Sequence, residues 1–239
     1  MPAPIDLYYF NSPNGRKITI MLEELEVPYT LVPISSSRRD NYRPDYAVLN
    51  PNNKMPTIVD PDGPGGKPIS VFESGAILKY LGEKTQRFYG ADWAERIKID
   101  EWLFWQVSGF GPILGQNEHF TQNAPEQIPY AIKRYVDETR RLYHVLDGQL
   151  ERQQARGVGF VAGESYSIAD IAIFGWARKW KELGMSRDEF PEVFRWHDAI
   201  DARPAVQRAL ALAGTIPKPA PDPSAAIDRD LILLGVRQA

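Results

Sequence analysis

Residues 53–81 read NKMPTIVDPDGPGGKPISVFESGAILKYL, and this stretch predicts two strands followed by a helix. Two short apolar runs, 57–59 and 69–71, flank a loop rich in Pro and Gly at 61–66. This is the pattern of antiparallel strands joined by a turn-rich connection. Beyond the second run, apolar residues recur at i, i+1, i+4 and i+5, the spacing of one helix face: Ala76, Ile77, Tyr80 and Leu81.

The first turn of the predicted helix has the features of an anion site. Glu73 and Ser74 fall in this turn, where unpaired backbone N–H groups and the helix dipole favour a carboxylate. The Ser74 hydroxyl can donate to that carboxylate, and the Glu73 side chain can accept from an adjacent ammonium. A free amino-acid terminus carries both groups, so the pattern indicates a ligand that ends in one.

The Met55-Pro56 dipeptide at the start of the first strand predicts a second part of the site. A proline entering a strand is confined to its first residue or to a sheet edge. If the Met55-Pro56 bond is cis, the preceding peptide turns its N–H and C=O outward, and an extended peptide ligand can pair with Met55. Taken alone, Pro56 would be expected to be trans; together with the helix start, the pattern favours cis.

The segment before this stretch has the pattern of a strand, a helix and a second strand. Residues 5–10 and 29–34 are the predicted strands, and 11–15 form a turn. The helix runs from Arg16 to a point before Pro28, with one apolar face: Ile18, Met21, Leu22 and Leu25. This βαβ unit, continued by the hairpin and helix, predicts a thioredoxin-like α/β domain.

From Asp92 onward the periodicity is helical and no convincing strand is found. A long helix beginning near Trp93 is expected to be kinked or interrupted by Gly109, Gly111 and Pro112. The next helix carries a three-four apolar spacing that predicts a buried seam. Its members are Ile128, Ile132, Tyr135, Thr139, Leu142, Leu146 and Leu150.

Ser167 and Asp170 have the form of a capping box at a helix start. The Ser167 hydroxyl can accept from the N–H of Asp170, whose carboxylate can reach back to the N–H of Ser167. We interpret this pair as structural.

These patterns divide the chain into three parts. The thioredoxin-like domain takes residues 1–84, an all-helical domain takes 92–214, and a Pro-rich tail takes 215–239. The prolines of the tail predict an extended, semi-rigid segment.

Composition excludes several classes of function. The 239 residues include 28 basic and 31 acidic side chains, for a net charge of −3, so neither nucleic acid nor an anionic membrane is expected as a partner. No stretch approaches the length of a membrane span, and the N-terminus has no signal-peptide pattern, so we expect a cytoplasmic protein. There are no cysteines and three isolated histidines. We therefore expect no disulfide and no metal site, and any thiol chemistry must use a thiol supplied by a ligand.

Several of these motifs carry a family resemblance. Over about residues 5–212 the chain resembles the cytosolic glutathione transferases, and is most similar to the bacterial Nu class, the glutathione-dependent disulfide-bond oxidoreductases. The matching segments are LYYFNSPNGRK (7–17), PNNKMPTIV (51–59), FESGAILKYL (72–81), WLFWQ (102–106), GPILGQN (111–117) and PYAIKRY (129–135).

The resemblance implies that glutathione supplies the thiol and that the protein stabilises its thiolate. Ser12 and Asn14, at the start of the first helix, can each donate a hydrogen bond to sulfur, and the helix dipole adds to them. The Nu class usually has Thr at the first of these positions, so Ser12 keeps the hydroxyl and loses a methyl group. Tyr9 is a rival donor, because other transferase classes use a tyrosine near the end of this strand. Backbone donors alone are a third alternative.

The resemblance and the spacing together predict how glutathione is held. Its γ-glutamyl end is expected at Glu73 and Ser74, and its cysteinyl backbone at Met55 and Pro56. Its glycyl carboxylate is expected near Asn41 or Lys54.

Arg134, on a helix of the second domain, is implied to face the glutathione site, where a guanidinium suits a carboxylate better than a lysine does. One or two glutathione molecules per subunit, or oxidised glutathione, are the expected ligands.

Two hypotheses for function follow. The first is an enzyme that reduces small disulfides or conjugates electrophiles with glutathione, acting as a homodimer. The second is an interaction or regulatory protein with this fold and little turnover, like the yeast nitrogen-regulator relative of the group. The presence of Ser12, Asn14, Glu73, Ser74 and Arg134 favours the enzyme.

Overall fold

The computed structural model describes residues 3–36 and 38–212. By internal packing the chain divides into two compact units. Of the described residues, the first unit takes those up to Ile77 together with 208–212, and the second takes Leu78–Gln207. The predicted boundaries at 84 and 92 fall after this division, and the predicted tail, 215–239, lies outside the described residues.

The first unit is built on a four-stranded mixed sheet with the strand order β2-β1-β3-β4. β1 pairs parallel with β2, and β3 pairs antiparallel with both β1 and β4. The strands are β1 (Ile5–Tyr9), β2 (Tyr29–Pro33), β3 (Thr57–Asp60) and β4 (Ile69–Phe72), and the helices that begin in this unit are α1 (Pro13–Leu25), α2 (Pro44–Leu49) and α3 (Ser74–Thr85). The predicted βαβ unit, hairpin and following helix are confirmed, but α1 begins at Pro13, three residues before the predicted start, because Ser12 caps the helix within the predicted turn.

Alternation in β1 and helical spacing in α1 build the core of this unit. Ile5, Leu7 and Tyr9 are buried on one face of β1, as period-two alternation requires. The predicted apolar face of α1 is also buried: Ile18, Met21, Leu22 and Leu25.

The second unit is helical, and the described residues contain no strand after β4. It holds the end of α3, followed by α4 (Trp93–Trp105), α5 (Gly111–Glu118), α6 (Pro129–Ala155), α7 (Ile168–Ala177), α8 (Pro191–Asp201) and the start of α9 (Pro204–Ala211). The predicted interruption after α4 is a π-helical turn, Gln106–Phe110. This turn leads directly into α5 at Gly111. The chain therefore stays helical through Gly109, Gly111 and Pro112, which were expected to kink or interrupt it.

The predicted seam of α6 is buried only in part. Thr139, Leu142, Leu146 and Leu150 are buried, as expected. Ile128, by contrast, is 43% exposed and precedes the first residue of the helix. The three-four spacing identifies a helix face but does not show how far along that face a neighbour packs.

The capping box is present and belongs to a larger buried network. Asp170 Oδ2 accepts from Ser167 N at 3.0 Å and Ser167 Oγ at 3.1 Å. Its Oδ1 accepts from Val161 N at 2.9 Å and Trp196 Nε1 at 2.8 Å. Burial raises the pKa of Asp170 to about 6, and the hydrogen bonds oppose that rise. The carboxylate is therefore ionised at neutral pH and joins three segments of the bundle.

Candidate functional site

The sheet register brings three predicted site segments to one edge. Tyr8 of β1 lies opposite Thr57 of β3, and Thr57 lies opposite Phe72 of β4. The end of β1, the start of β3 and the end of β4 are therefore neighbours. The turn into α1 follows β1, Met55-Pro56 precedes β3, and Glu73 follows β4.

Ser12 is the N-cap of α1. Its Oγ accepts from Gly15 N at 3.1 Å, and its carbonyl accepts from Arg16 N at 3.0 Å. The hydroxyl hydrogen is not used by the cap, so Ser12 can still donate to another group. Asn14 lies in the first turn, half-buried. A glycine is required at 15, because a Cβ there would lie 2.3 Å from the Phe10 carbonyl oxygen.

Tyr9 has the environment of a core residue. It is 1% exposed, and its hydroxyl donates to Asn11 Oδ1 at 3.4 Å. Arg16 Nε donates to the same oxygen at 3.1 Å. Burial raises the pKa of Tyr9, partly offset by the charge of Arg16. These contacts favour Ser12 and Asn14 over Tyr9 as donors to a ligand.

Two buried side chains hold the Met55-Pro56 segment, whose peptide bond is cis. The Lys54 carbonyl accepts from Tyr46 Oη at 2.7 Å and from Asn50 Nδ2 at 2.6 Å. On the far side of the dipeptide, Thr57 Oγ1 lies 2.9 Å from each of the same two groups. No sequence motif points to Tyr46 or Asn50, because their partners are backbone and hydroxyl groups brought together by folding.

Asn41 also supports this segment. It is buried, and its Nδ2 donates to the Asn53 carbonyl at 2.8 Å. The side-chain oxygens of Asn41 and Asn53 are buried without a hydrogen-bond partner. Lys54, next in the chain, is exposed. The exposed ammonium of Lys54 therefore follows Asn53 in the chain, and the side-chain oxygens of Asn53 and Asn41 are both unpaired.

Glu73 and Ser74 form the start of α3. Glu73 has a positive φ of 68°, and its carbonyl accepts from Ile77 N at 2.9 Å. Its carboxylate, which accepts from Asn52 Nδ2 at 3.3 Å, is exposed. Ser74 is 6% exposed and is the first helical residue.

Ser74 has a partner that residue type alone does not suggest. Lys17 is 1% exposed, and its Nζ donates to Ser74 Oγ at 3.1 Å. Burial lowers the pKa of Lys17 to about 7, against the opposing effect of the Glu73 charge. One feature of the sequence could have indicated that Lys17 is buried. It lies four residues before Met21, on the apolar face of α1.

Arg134 lies in the second unit, exposed on α6. It lines a cleft of about 700 Å³ together with Tyr130, Lys133 and Arg141. Arg141 forms a bidentate pair with Glu138, at 2.8 and 2.7 Å. Arg134 forms no ion pair with any residue of 3–36 or 38–212, so its guanidinium can donate to a ligand carboxylate.

Other classes of site find no support in the described part of the chain. No cluster of three His, Asp or Glu side chains there could hold a metal ion. Within the same residues, none of the helices has both the length and the apolar character to span a bilayer.

The N-terminal domain of glutathione S-transferases matches residues 11–84, and the C-terminal domain of the same family matches residues 120–204. The chain belongs to the glutathione S-transferase family. It is 48% identical over 210 residues to the disulfide-bond oxidoreductase YfcG of Escherichia coli K12, covering 87% of this chain and 95% of YfcG.

Solved structures agree with this assignment. A glutathione transferase from Pseudomonas putida with one glutathione disulfide bound per subunit is 41% identical with a TM-score of 0.80, covering 87% of this chain and 90% of that one. A transferase from Burkholderia graminis with two glutathione molecules bound per subunit is 39% identical with a TM-score of 0.82, covering 91% and 90%.

Proposed function

We propose that this protein is a glutathione-dependent disulfide-bond oxidoreductase and glutathione transferase of the Nu class. The observation that supports this most is the arrangement at the sheet edge. There, α1 begins at the Ser12 cap and α3 begins at Ser74, and the two helices are linked by the 3.1 Å contact of Lys17 with Ser74. Two helix N-termini at one edge favour a ligand with more than one negative group.

The residues present fit glutathione, a peptide with an amino-acid head, a thiol and a terminal carboxylate. Ser74 can donate to the carboxylate of the γ-glutamyl end, and Glu73 can accept from its ammonium. The cysteinyl backbone would pair with Met55 beside Pro56. The glycyl carboxylate would lie by Lys54, near Asn41.

When bound, glutathione would supply the thiolate that attacks an electrophile, or that attacks a disulfide to give a mixed disulfide and one free thiol. A second glutathione thiolate would then attack the mixed disulfide, giving oxidised glutathione and the other thiol. The chain itself contains no cysteine, so its task is to stabilise negative charge on sulfur. The Ser12 hydroxyl and the Asn14 amide can donate to that sulfur, and the positive end of α1 adds to their effect. A lower thiol pKa gives more thiolate at neutral pH.

A turnover assay separates this function from that of an interaction protein with the same fold. We expect the wild-type protein to reduce hydroxyethyl disulfide with glutathione faster than it conjugates an aryl chloride. Two positioned thiols turn successive encounters into nearly unimolecular steps. Binding of glutathione without turnover of either substrate would favour the interaction protein.

Ser74→Ala should weaken glutathione binding by roughly 1–3 kcal/mol, the loss expected for a hydrogen bond to a charged group. Isothermal titration calorimetry measures this directly. Ser70→Ala, at an exposed position of β4, is the matched control and should bind like the wild type. Equal affinities for both variants would remove Ser74 from the site.

Arg134→Ala should lower kcat/KM for disulfide reduction roughly 10- to 100-fold. The proposed role of Arg134 is a charge-assisted bidentate contact with a carboxylate of the second glutathione, and this contact would be lost. The affinity for the first glutathione should change less than about twofold, because Arg134 is proposed to contact the second molecule. Arg141→Ala is the control, because Arg141 lines the same cleft but is already paired with Glu138. Unchanged turnover in Arg134→Ala would contradict the proposed role.

We also propose a cytoplasmic homodimer. Large apolar side chains are exposed on α4 and at the start of α6: Trp93 at 78%, Phe104 at 57% and Tyr130 at 76%. Exposed aromatic groups of this kind are enriched at protein interfaces. Light scattering at micromolar protein should give twice the chain mass of 27.1 kDa, and a concentration-independent monomer mass would rule the dimer out.

A further inference from the structure

Lys17 is the one lysine that is buried among residues 3–36 and 38–212. Lysine is almost never fully buried, because its ammonium loses its hydration. A buried charge is tolerated when it has hydrogen-bond partners, and one partner of Lys17 is Ser74 Oγ at 3.1 Å. The lysine therefore lies directly behind a residue of the proposed glutathione site.

The direction of this hydrogen bond determines what Ser74 can do. When Lys17 is protonated its ammonium can only donate, so Ser74 Oγ is the acceptor and its own hydrogen points elsewhere. Ser74 is the first residue of α3, where free backbone N–H groups attract an anion. The Ser74 hydroxyl is thus prepared to donate to a carboxylate bound at the helix start.

We propose that Lys17 is a positioning residue: its ammonium orients the Ser74 hydroxyl toward the γ-glutamyl carboxylate, and Lys17 takes up a proton when that carboxylate binds. The inference rests on the proposed function, because it takes the ligand to be a γ-glutamyl peptide.

The charges around Lys17 support this coupling. Burial lowers its pKa to about 7, and the charge that opposes this effect is that of Glu73, the residue before Ser74. Above pH 7 much of the free protein therefore has a neutral Lys17. A carboxylate one hydroxyl away favours the charged form and raises the pKa. Binding then draws a proton from solution between pH 7 and the higher pKa of the complex, and draws little below pH 7, where Lys17 is already protonated.

The test uses S-methylglutathione, which has no thiol proton to release. Calorimetry at pH 8 in two buffers with different ionisation enthalpies measures the protons exchanged on binding. We expect an uptake of roughly 0.5–1 proton at pH 8 and much less at pH 6. The affinity of the wild type should fall between pH 7 and 8.5, by up to about tenfold per unit.

Lys17→Met has a similar side-chain length and no charge. It should bind S-methylglutathione roughly tenfold more weakly at pH 7, with no proton uptake and a flat pH profile. Lys67→Met, which changes an exposed lysine of the first unit, should keep the wild-type uptake. A lysine that only supports packing would not change the proton count.

The outcomes separate the two ideas. Binding by the wild type without proton uptake, or equal uptake in Lys17→Met, overturns the role of Lys17 and leaves the proposed function standing. No binding of S-methylglutathione to the wild type overturns the proposed function and this inference together.

Discussion

Replacing Ser12 and Asn14 together by alanine should lower kcat/KM for glutathione-dependent disulfide reduction by roughly 100-fold or more. Each hydrogen bond to a charged group is worth about 1.5–3 kcal/mol, and both would stabilise the thiolate. The pKa of bound glutathione should rise by about two units or more, since one unit corresponds to 1.36 kcal/mol. Thiolate absorbance in the ultraviolet, followed against pH, measures this shift independently of turnover.

Ser12 also caps α1, so its two roles must be separated. Loss of the cap alone costs about 0.5–2 kcal/mol of stability, which thermal unfolding detects. Ser12→Thr keeps the hydroxyl for both roles and should retain activity. Tyr9→Phe tests the rival donor and should change turnover less than about twofold, because the Tyr9 hydroxyl is already bonded to Asn11. Full activity in the double variant would reject the proposed mechanism; a large loss in Tyr9→Phe would transfer the role to Tyr9.

Asp170→Ala should destabilise the protein by roughly 3–5 kcal/mol, the largest stability effect that we expect from a single substitution. The side chain is fully buried and accepts from Val161 N, Ser167 N, Ser167 Oγ and Trp196 Nε1. Removing it leaves these donors without an acceptor in a region that water does not reach. Urea unfolding followed by circular dichroism measures the change.

Asp92→Ala is the matched control for a cap without a buried network. Asp92 is the exposed N-cap of α4 and accepts from Glu95 N at 2.9 Å. Its loss should cost about 1 kcal/mol. If Asp170→Ala costs no more than Asp92→Ala, the buried network contributes little beyond an ordinary cap.

Local patterns predicted much of the fold because they depend on neighbours in the chain. Period-two alternation identified β1, and turn residues between two apolar runs identified the hairpin of β3 and β4. Helical spacing identified α1 and α6, and the capping box identified the start of α7. The extent of burial along α6 could not be predicted in this way, since it depends on where a neighbouring element ends.

The sequence by itself determined which segments form the candidate site: the Ser12 turn, the Met55-Pro56 strand start and the Glu73-Ser74 helix start. Their residue types and spacing already specify caps, strands and donors. Only the tertiary structure decided how these segments are supported. Lys17 and Ser74 are 57 residues apart and meet at 3.1 Å, and Tyr46 and Asn50 hold both sides of Met55-Pro56. Such contacts depend on sheet register and burial, which local dihedral preferences do not encode.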